Sequence, residues 1–158
     1  MQQWSWRRAV LVGGTVAGAL DIMFAISFAY ANGVPPQRLL QTVASGVLGE
    51  ASYSGGAAAA ALGLTLHFLI SYLLASVYVL ASRRVGWLTR NPLFAGALFG
   101  IAVFLTMRLV VLPLSEFPHP VSFRPLGTVL DLLSHMLLFG VPIAIAARRT
   151  RVSNGVSE

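Results

Sequence analysis

Charged side chains are sparse along this chain, and long apolar runs separate them. Between Glu50 and Arg83 there is no Asp, Glu, Lys or Arg, a run longer than the roughly 20 residues that cross a bilayer core. The same pattern recurs and predicts membrane-spanning helices over 9–31, 57–82, 93–112 and 127–147. None of these runs alternates with a period of two, which excludes a transmembrane barrel.

The runs are not uniformly apolar. In the second, Gly56, Ala60, Gly63, His67, Ser71 and Tyr78 recur at helical spacing and give one small, polar face. In the first, Gly14, Gly18 and Asp21 share a side, with the glycines forming a GxxxG pair. Gly96 and Gly100 make a close-packing pair in the third, where Arg108 is the sole charge. Eight positions offset Arg108 from Gly100 by about 80° around a regular helix, which directs the glycine seam and the arginine to different neighbours.

The connections carry their own signals. Asn32-Gly33-Val34-Pro35-Pro36 breaks the first helix. The next stretch, 36–48, reads as a short amphipathic helix with Leu39, Leu40, Val43, Val47 and Leu48 on one side and Arg38, Gln41, Thr42 and Ser45 on the other. Such a helix lies on the outer surface or re-enters the protein. Residues 113–125, PLSEFPHPVSFRP, form a polar, proline-rich extracytoplasmic loop. In the fourth span Pro142 cannot donate to the carbonyl of Leu138, so a kink is expected there. The tail RRTRVSNGVSE is a basic stop followed by disorder.

Composition agrees with this picture: 56% of residues are apolar and 10% charged, the balance of an integral membrane protein. All eleven cations are arginine, and they fall beside the ends of apolar runs instead of clustering on a solvated face, which argues against nucleic-acid binding. Arg7, Arg8, Arg83, Arg84, Arg90, Arg148, Arg149 and Arg151 fall on one side of the membrane and Arg38 and Arg124 on the other. That bias places both termini in the cytoplasm. A signal peptide is the rival for the first run, since Arg7-Arg8 precede it and Ala29-Tyr30-Ala31 resembles a cleavage site. Its apolar part exceeds the usual 7–15 residues, and Asp21 would be costly within it. The chain has no cysteine, hence no disulfide, thiolate ligand or cysteine nucleophile.

The candidate chemistry lies in the ionisable residues inside the spans: Asp21, His67, Arg108, Asp131 and His135. With a helical rise of about 1.5 Å per residue, Asp21 and His67 fall roughly 15 Å below the outer boundary, His135 about 12 Å, and Arg108 and Asp131 about 6–8 Å. Unpaired charges at such depths are expensive, and the cheapest arrangement sets Arg108 against Asp131. Asp131 and His135, four apart, share a helix face. Either the imidazole donates to that carboxylate, or Arg108 holds it while His135 meets His67 or Asp21 from another helix.

These residues support several readings. The first is a polar network that fixes which helix packs on which in a non-enzymatic structural or partner-interacting component. The second is a proton, ion or small-solute transport module, for which four helices are few and a homo-oligomer or larger membrane complex would enclose the route. The third is a b-type haem subunit with His67 and His135 as axial ligands. Asp21, His67, Asp131 and His135 have nitrogen and oxygen donors suited to a divalent metal, but no close ligand-spacing motif accompanies them. Ser71, four residues from His67, lacks a nucleophile elbow or an oxyanion signal, so the balance is against an enzyme. No glycine pattern in the chain reads as a phosphate-binding loop.

GGTVAGALD (13–21), LLQTVASGVLGEASYSGG (39–56), ALGLTLHF (61–68) and the His-containing fourth span together resemble the small four-span bacterial inner-membrane proteins of the YagU-like family. The resemblance extends over about 13–147 and implies an inner-membrane location; that family has no settled activity to transfer to Asp21, His67 or His135. The expected fold is therefore an all-α integral membrane protein, with four transmembrane helices and a short extracytoplasmic amphipathic or re-entrant helix.

Overall fold

A computed structural model describes residues 3–121 and 123–150 of the chain. The basic tail expected to be disordered lies, beyond Thr150, outside the described residues. The protein is an all-α membrane protein with four helices long and apolar enough to cross a bilayer. In chain order the elements are α1 (Trp6–Ala31), α2 (Pro36–Leu48), α3 (Gly56–Arg84), the single turn α4 (Trp87–Arg90), α5 (Pro92–Leu114) and α6 (Pro125–Arg148). The spanning helices begin and end up to a few residues outside the boundaries the apolar runs suggested. Trp4 donates its backbone N–H to the Arg149 carbonyl at 2.9 Å, so both chain ends meet at one end of the bundle. α2 and the 115–124 loop sit at the other, distal end, joined by a bond from Glu116 N–H to Gly46 O at 3.1 Å.

Packing differs between the two halves. Toward the chain ends, small and branched residues from all four spans interlock, with Ala9, Ala17, Ala75, Val79, Ile143 and Ala147 fully buried. Glycines set the spacing. Gly14 lies against Tyr72 of α3, Gly13 against Ala146 of α6, and Gly96 and Gly100 of α5 against the α6 backbone around Gly140 and His135. Leu69, Leu73, Val77 and Leu80 of α3 point outward, where a bilayer would cover them. Helices meet here by close backbone approach because lipid offers leucine as good a surface as another helix does.

α2 buries residues from its small, polar side. Gln41, Ala44 and Ser45 are buried, while Val47 and Leu48 are exposed. Its small, polar side presses on α3, where a side chain at Gly63 would strike the Leu40 carbonyl, and Gln41 Nε2 donates to the Gly56 carbonyl at 3.1 Å. In an apolar medium polar groups need partners within the protein; of the apolar side, Leu39 and Val43 turn into the bundle while Val47 and Leu48 turn out. Gly63 lies about 10 Å along α3 from its start by helical rise, so α2 folds back against the bundle. Gly49, at φ +56°, terminates α2 in the left-handed region that favours glycine.

Both helices that carry the deep polar residues widen into a π turn. Met107–Val111 does so in α5, with Leu112 N–H bonded to Met107 O, and His135–Gly140 in α6, with Val141 N–H bonded to Met136 O. A proline follows each by two residues, Pro113 and Pro142. Its ring would press on the carbonyl four residues earlier and it offers that carbonyl no donor, and a wider turn relieves the clash. The distortion expected at Pro142 is thus taken up one turn earlier. In α5 the helix continues through Pro113 to Leu114 instead of stopping at residue 112.

Candidate functional site

The looser packing of the distal half leaves a cavity of about 400 Å³. Asp21 of α1, His67 of α3, Arg108 of α5, and Asp131 and His135 of α6 all line it. These are the five ionisable residues that stood out in the apolar runs. Phe104, Phe117 and Phe139 contribute aromatic wall, and Leu39 and Val43 of α2 close one side.

Arg108 lies in the first π turn and His135 opens the second. Arg108 Nη2 donates to Asp131 Oδ2 at 2.8 Å and Nε to the same oxygen at 3.3 Å. Asp131 Oδ1 lies 3.2 Å from His135 Nδ1, so one carboxylate serves both partners that the sequence offered as alternatives. His135 Nδ1 also lies 2.9 Å from the Asp131 carbonyl and 4.0 Å from Asp21 Oδ1. Carbonyl and carboxylate oxygens only accept, which fixes the Nδ1 proton and leaves Nε2 as the nitrogen that changes protonation. Ser134 Oγ donates to Asp21 Oδ1 at 2.7 Å, tying α6 to α1.

Two expectations change. The glycine seam and Arg108 face the same neighbour, α6: Gly96 and Gly100 meet its backbone, and the long Arg108 side chain reaches Asp131. His67 does not join His135: its Nε2 donates to the Gly18 carbonyl at 2.9 Å. Haem ligation through both imidazoles fits poorly with this arrangement. His135 has the Nδ1-anchored geometry of a metal ligand, whereas the Nε2 of His67 is already committed to the backbone. Among the described residues no three His, Asp or Glu form a set able to hold a metal ion, and Arg108 already occupies the carboxylate nearest His135.

The Arg108–Asp131 pair also borders a second cavity of about 250 Å³, which shares Asp21, Ala25 and Leu39 with the first and adds Arg124, Thr128 and Ser134. The ion pair therefore stands as a partition between two adjoining spaces. Above the larger cavity, the Arg38 guanidinium sits 3.6 Å from the Tyr53 ring centre, Tyr53 stacks on His119 at 5.8 Å, and Phe117 meets His119 edge-on at 5.6 Å. This stack ties α2 and the turn after it to the loop that supplies Phe117, Pro120 and Val121 to the cavity.

Sequence reasoning passed over Ser134 and the Arg38–Tyr53–His119 stack. Serine is common in membrane helices, so only the position of Ser134 beside Asp131 and His135 marked it. The stack joins residues 38, 53 and 119 across three elements and has no local pattern.

Charge bookkeeping describes what the cavity can hold. Two carboxylates, Asp21 and Asp131, face one guanidinium, Arg108. With His135 neutral the lining of the larger cavity carries one excess negative charge, which one added proton or one monovalent cation would balance, while the smaller cavity, sharing both carboxylates and Arg108, adds the Arg124 guanidinium. No family model, curated protein or solved structure matches the chain.

Proposed function

We propose that this protein is a non-enzymatic membrane component that binds a small monovalent organic cation, an amine with an apolar body, in exchange for a proton, as one unit of a small-solute transport system. The observation that carries this reading is the convergence of a carboxylate without a guanidinium partner, Asp21, with three phenylalanines on one half-open cavity. A network that served packing alone would close on its own partners without leaving room. Aromatic faces and a carboxylate are what an ammonium on an apolar body requires. A proton on the His135 imidazole, whose Nδ1 lies 3.2 Å from Asp131 and 4.0 Å from Asp21, offsets the excess negative charge when the amine is absent, and the amine takes its place when the proton leaves.

The arginine distribution supports placing the protein in a bacterial inner membrane with both termini cytoplasmic, in keeping with the resemblance to the YagU-like family. The binding cavity then opens toward the outer half of the bilayer, under α2 and the 115–121 loop. A homo-oligomer or a larger complex would complete a route across, since four helices enclose little on their own.

Isothermal titration of the detergent-solubilised protein with benzylammonium, benzyl alcohol and benzoate tests this reading. Benzylammonium is expected to bind and benzoate not to. Its apparent Kd should rise with falling pH once the His135 imidazole takes up its proton, approaching tenfold per pH unit for one competing proton. Benzoate binding equal to or tighter than benzylammonium, or an affinity indifferent to pH between 5 and 8, would overturn the proposal.

A further inference from the structure

A second site, independent of the cavity, lies at the end of the bundle where the chain termini meet. Trp4 is held there by its backbone bond to Arg149 O, and Gln3 Nε2 donates to Thr150 O at 2.9 Å. Two guanidiniums stack on the one indole: Arg8 and Arg149 each lie 4.9 Å from the Trp4 ring centre. Among the described residues no ion pair involves either arginine, and no described carboxylate belongs to this end of the bundle. Two like charges on one ring repel each other until an anion joins them.

Directly below, between α1 and α6, runs a groove of about 350 Å³ lined by Val12, Gly13, Val16, Pro142, Ile145 and Ala146, with Trp4 and Arg149 at its head. The missing side chain of Gly13 makes its floor, since a Cβ there would come within 2.9 Å of Ala146 Cβ. Val12, Val16 and Ile145 are exposed, so the groove opens sideways to the bilayer. From Arg149 to Pro142 it follows α6 for about 10 Å by helical rise. A cationic head joined to an apolar trough at the membrane boundary has the chemistry of one kind of ligand: a phosphate ester carrying an acyl chain.

We infer that this is a specific site for an anionic phospholipid, with the phosphate held between Arg8 and Arg149 over Trp4 and one acyl chain lying in the α1–α6 groove. Paired guanidiniums recognise phosphate oxygens by directed hydrogen bonds, and the indole supplies the amphipathic surface that suits the headgroup region.

Native mass spectrometry of the detergent-solubilised protein tests the site, comparing phosphatidylglycerol and phosphatidylcholine with the same acyl chains. Phosphatidylglycerol is expected to bind at least tenfold more tightly. The double variant R8Q/R149Q should erase that preference, and Val16→Trp, which fills the groove, should weaken binding of phosphatidylglycerol. All three positions are exposed, so the variants are expected to fold. R83Q/R84Q, changing exposed arginines elsewhere at the same end, should leave the preference intact. The inference is overturned if the two lipids bind equally or if R83Q/R84Q erases the preference as fully as R8Q/R149Q, which would indicate diffuse attraction. It is equally overturned if glycerol phosphate displaces the lipid at comparable concentration, because the groove would then contribute nothing.

Discussion

Asp21→Asn is expected to weaken benzylammonium binding by roughly 10- to 100-fold, the equivalent of losing one charged hydrogen bond of about 1.5–3 kcal/mol. Asparagine keeps an oxygen for Ser134 Oγ, so the bond that ties α6 to α1 survives and the change is one of charge. Asp21 is the carboxylate of the larger cavity without a guanidinium partner. Asp131 already has Arg108 at 2.8 Å, whereas Asp21 has a serine hydroxyl and a more distant imidazole. Once Asp21 is neutral, Asp131 and Arg108 balance each other and nothing in the lining favours a cation. His67→Gln serves as the contrast, because His67 faces a backbone carbonyl and carries no part of the charge balance. Calorimetric titration of both variants checks the prediction. Equal losses in the two would show that cavity shape, and not the Asp21 charge, sets affinity.

Gly100→Leu is expected to have the largest effect on folding. A Cβ at position 100 would lie 2.5 Å from the His135 carbonyl carbon and 2.5 Å from Met136 Cα. These are backbone atoms, so no rotamer change relieves the clash and α5 must move away from α6. Ordinary overpacking costs about 1–3 kcal/mol through side chains that can shift; a rigid backbone contact should exceed that range. The same displacement would pull Arg108 from Asp131, so loss of stability and loss of amine binding should appear together. Gly127→Ala is the matched control on α6, since its added methyl would meet only the Phe28 ring at 3.8 Å. Thermal unfolding in detergent, followed by tryptophan fluorescence, should show a large drop for the first variant and little change for the second.

How much of this was legible in the sequence depended on how rare each signal was. A carboxylate, an imidazole or a guanidinium within an apolar run is conspicuous, and the cost of burying it unpaired predicts that such residues find one another. Arg108 and Asp131 could be matched by depth alone. The partner of His67 could not be, because its acceptor is the backbone of Gly18, and a carbonyl leaves no mark in a sequence. The facing of α2 was left open for a related reason. An amphipathic pattern tells which residues are alike, but which side turns inward depends on the surrounding medium, and against α3 the inward side is Gln41, Ala44 and Ser45. The π turns were half legible: Pro113 and Pro142 announced a disturbance in each helix, but not that it would widen the turn carrying Arg108 or His135. The cavity itself is a property of what the helices leave unfilled, and no single residue encodes it.

The most direct test of the account is solid-state NMR of the protein in bilayers, reading the ¹⁵N signals of the His135 and His67 imidazoles and the ¹³C carboxyl signal of Asp21 at acid pH, with and without saturating benzylammonium. The expected result is that without ligand the extra proton resides on the His135 imidazole, that the amine displaces it and shifts the Asp21 carboxyl signal by its charge, and that His67 keeps its Nε2–H bond to Gly18 throughout. Unchanged Asp21 and His135 signals on saturation with the amine would contradict it.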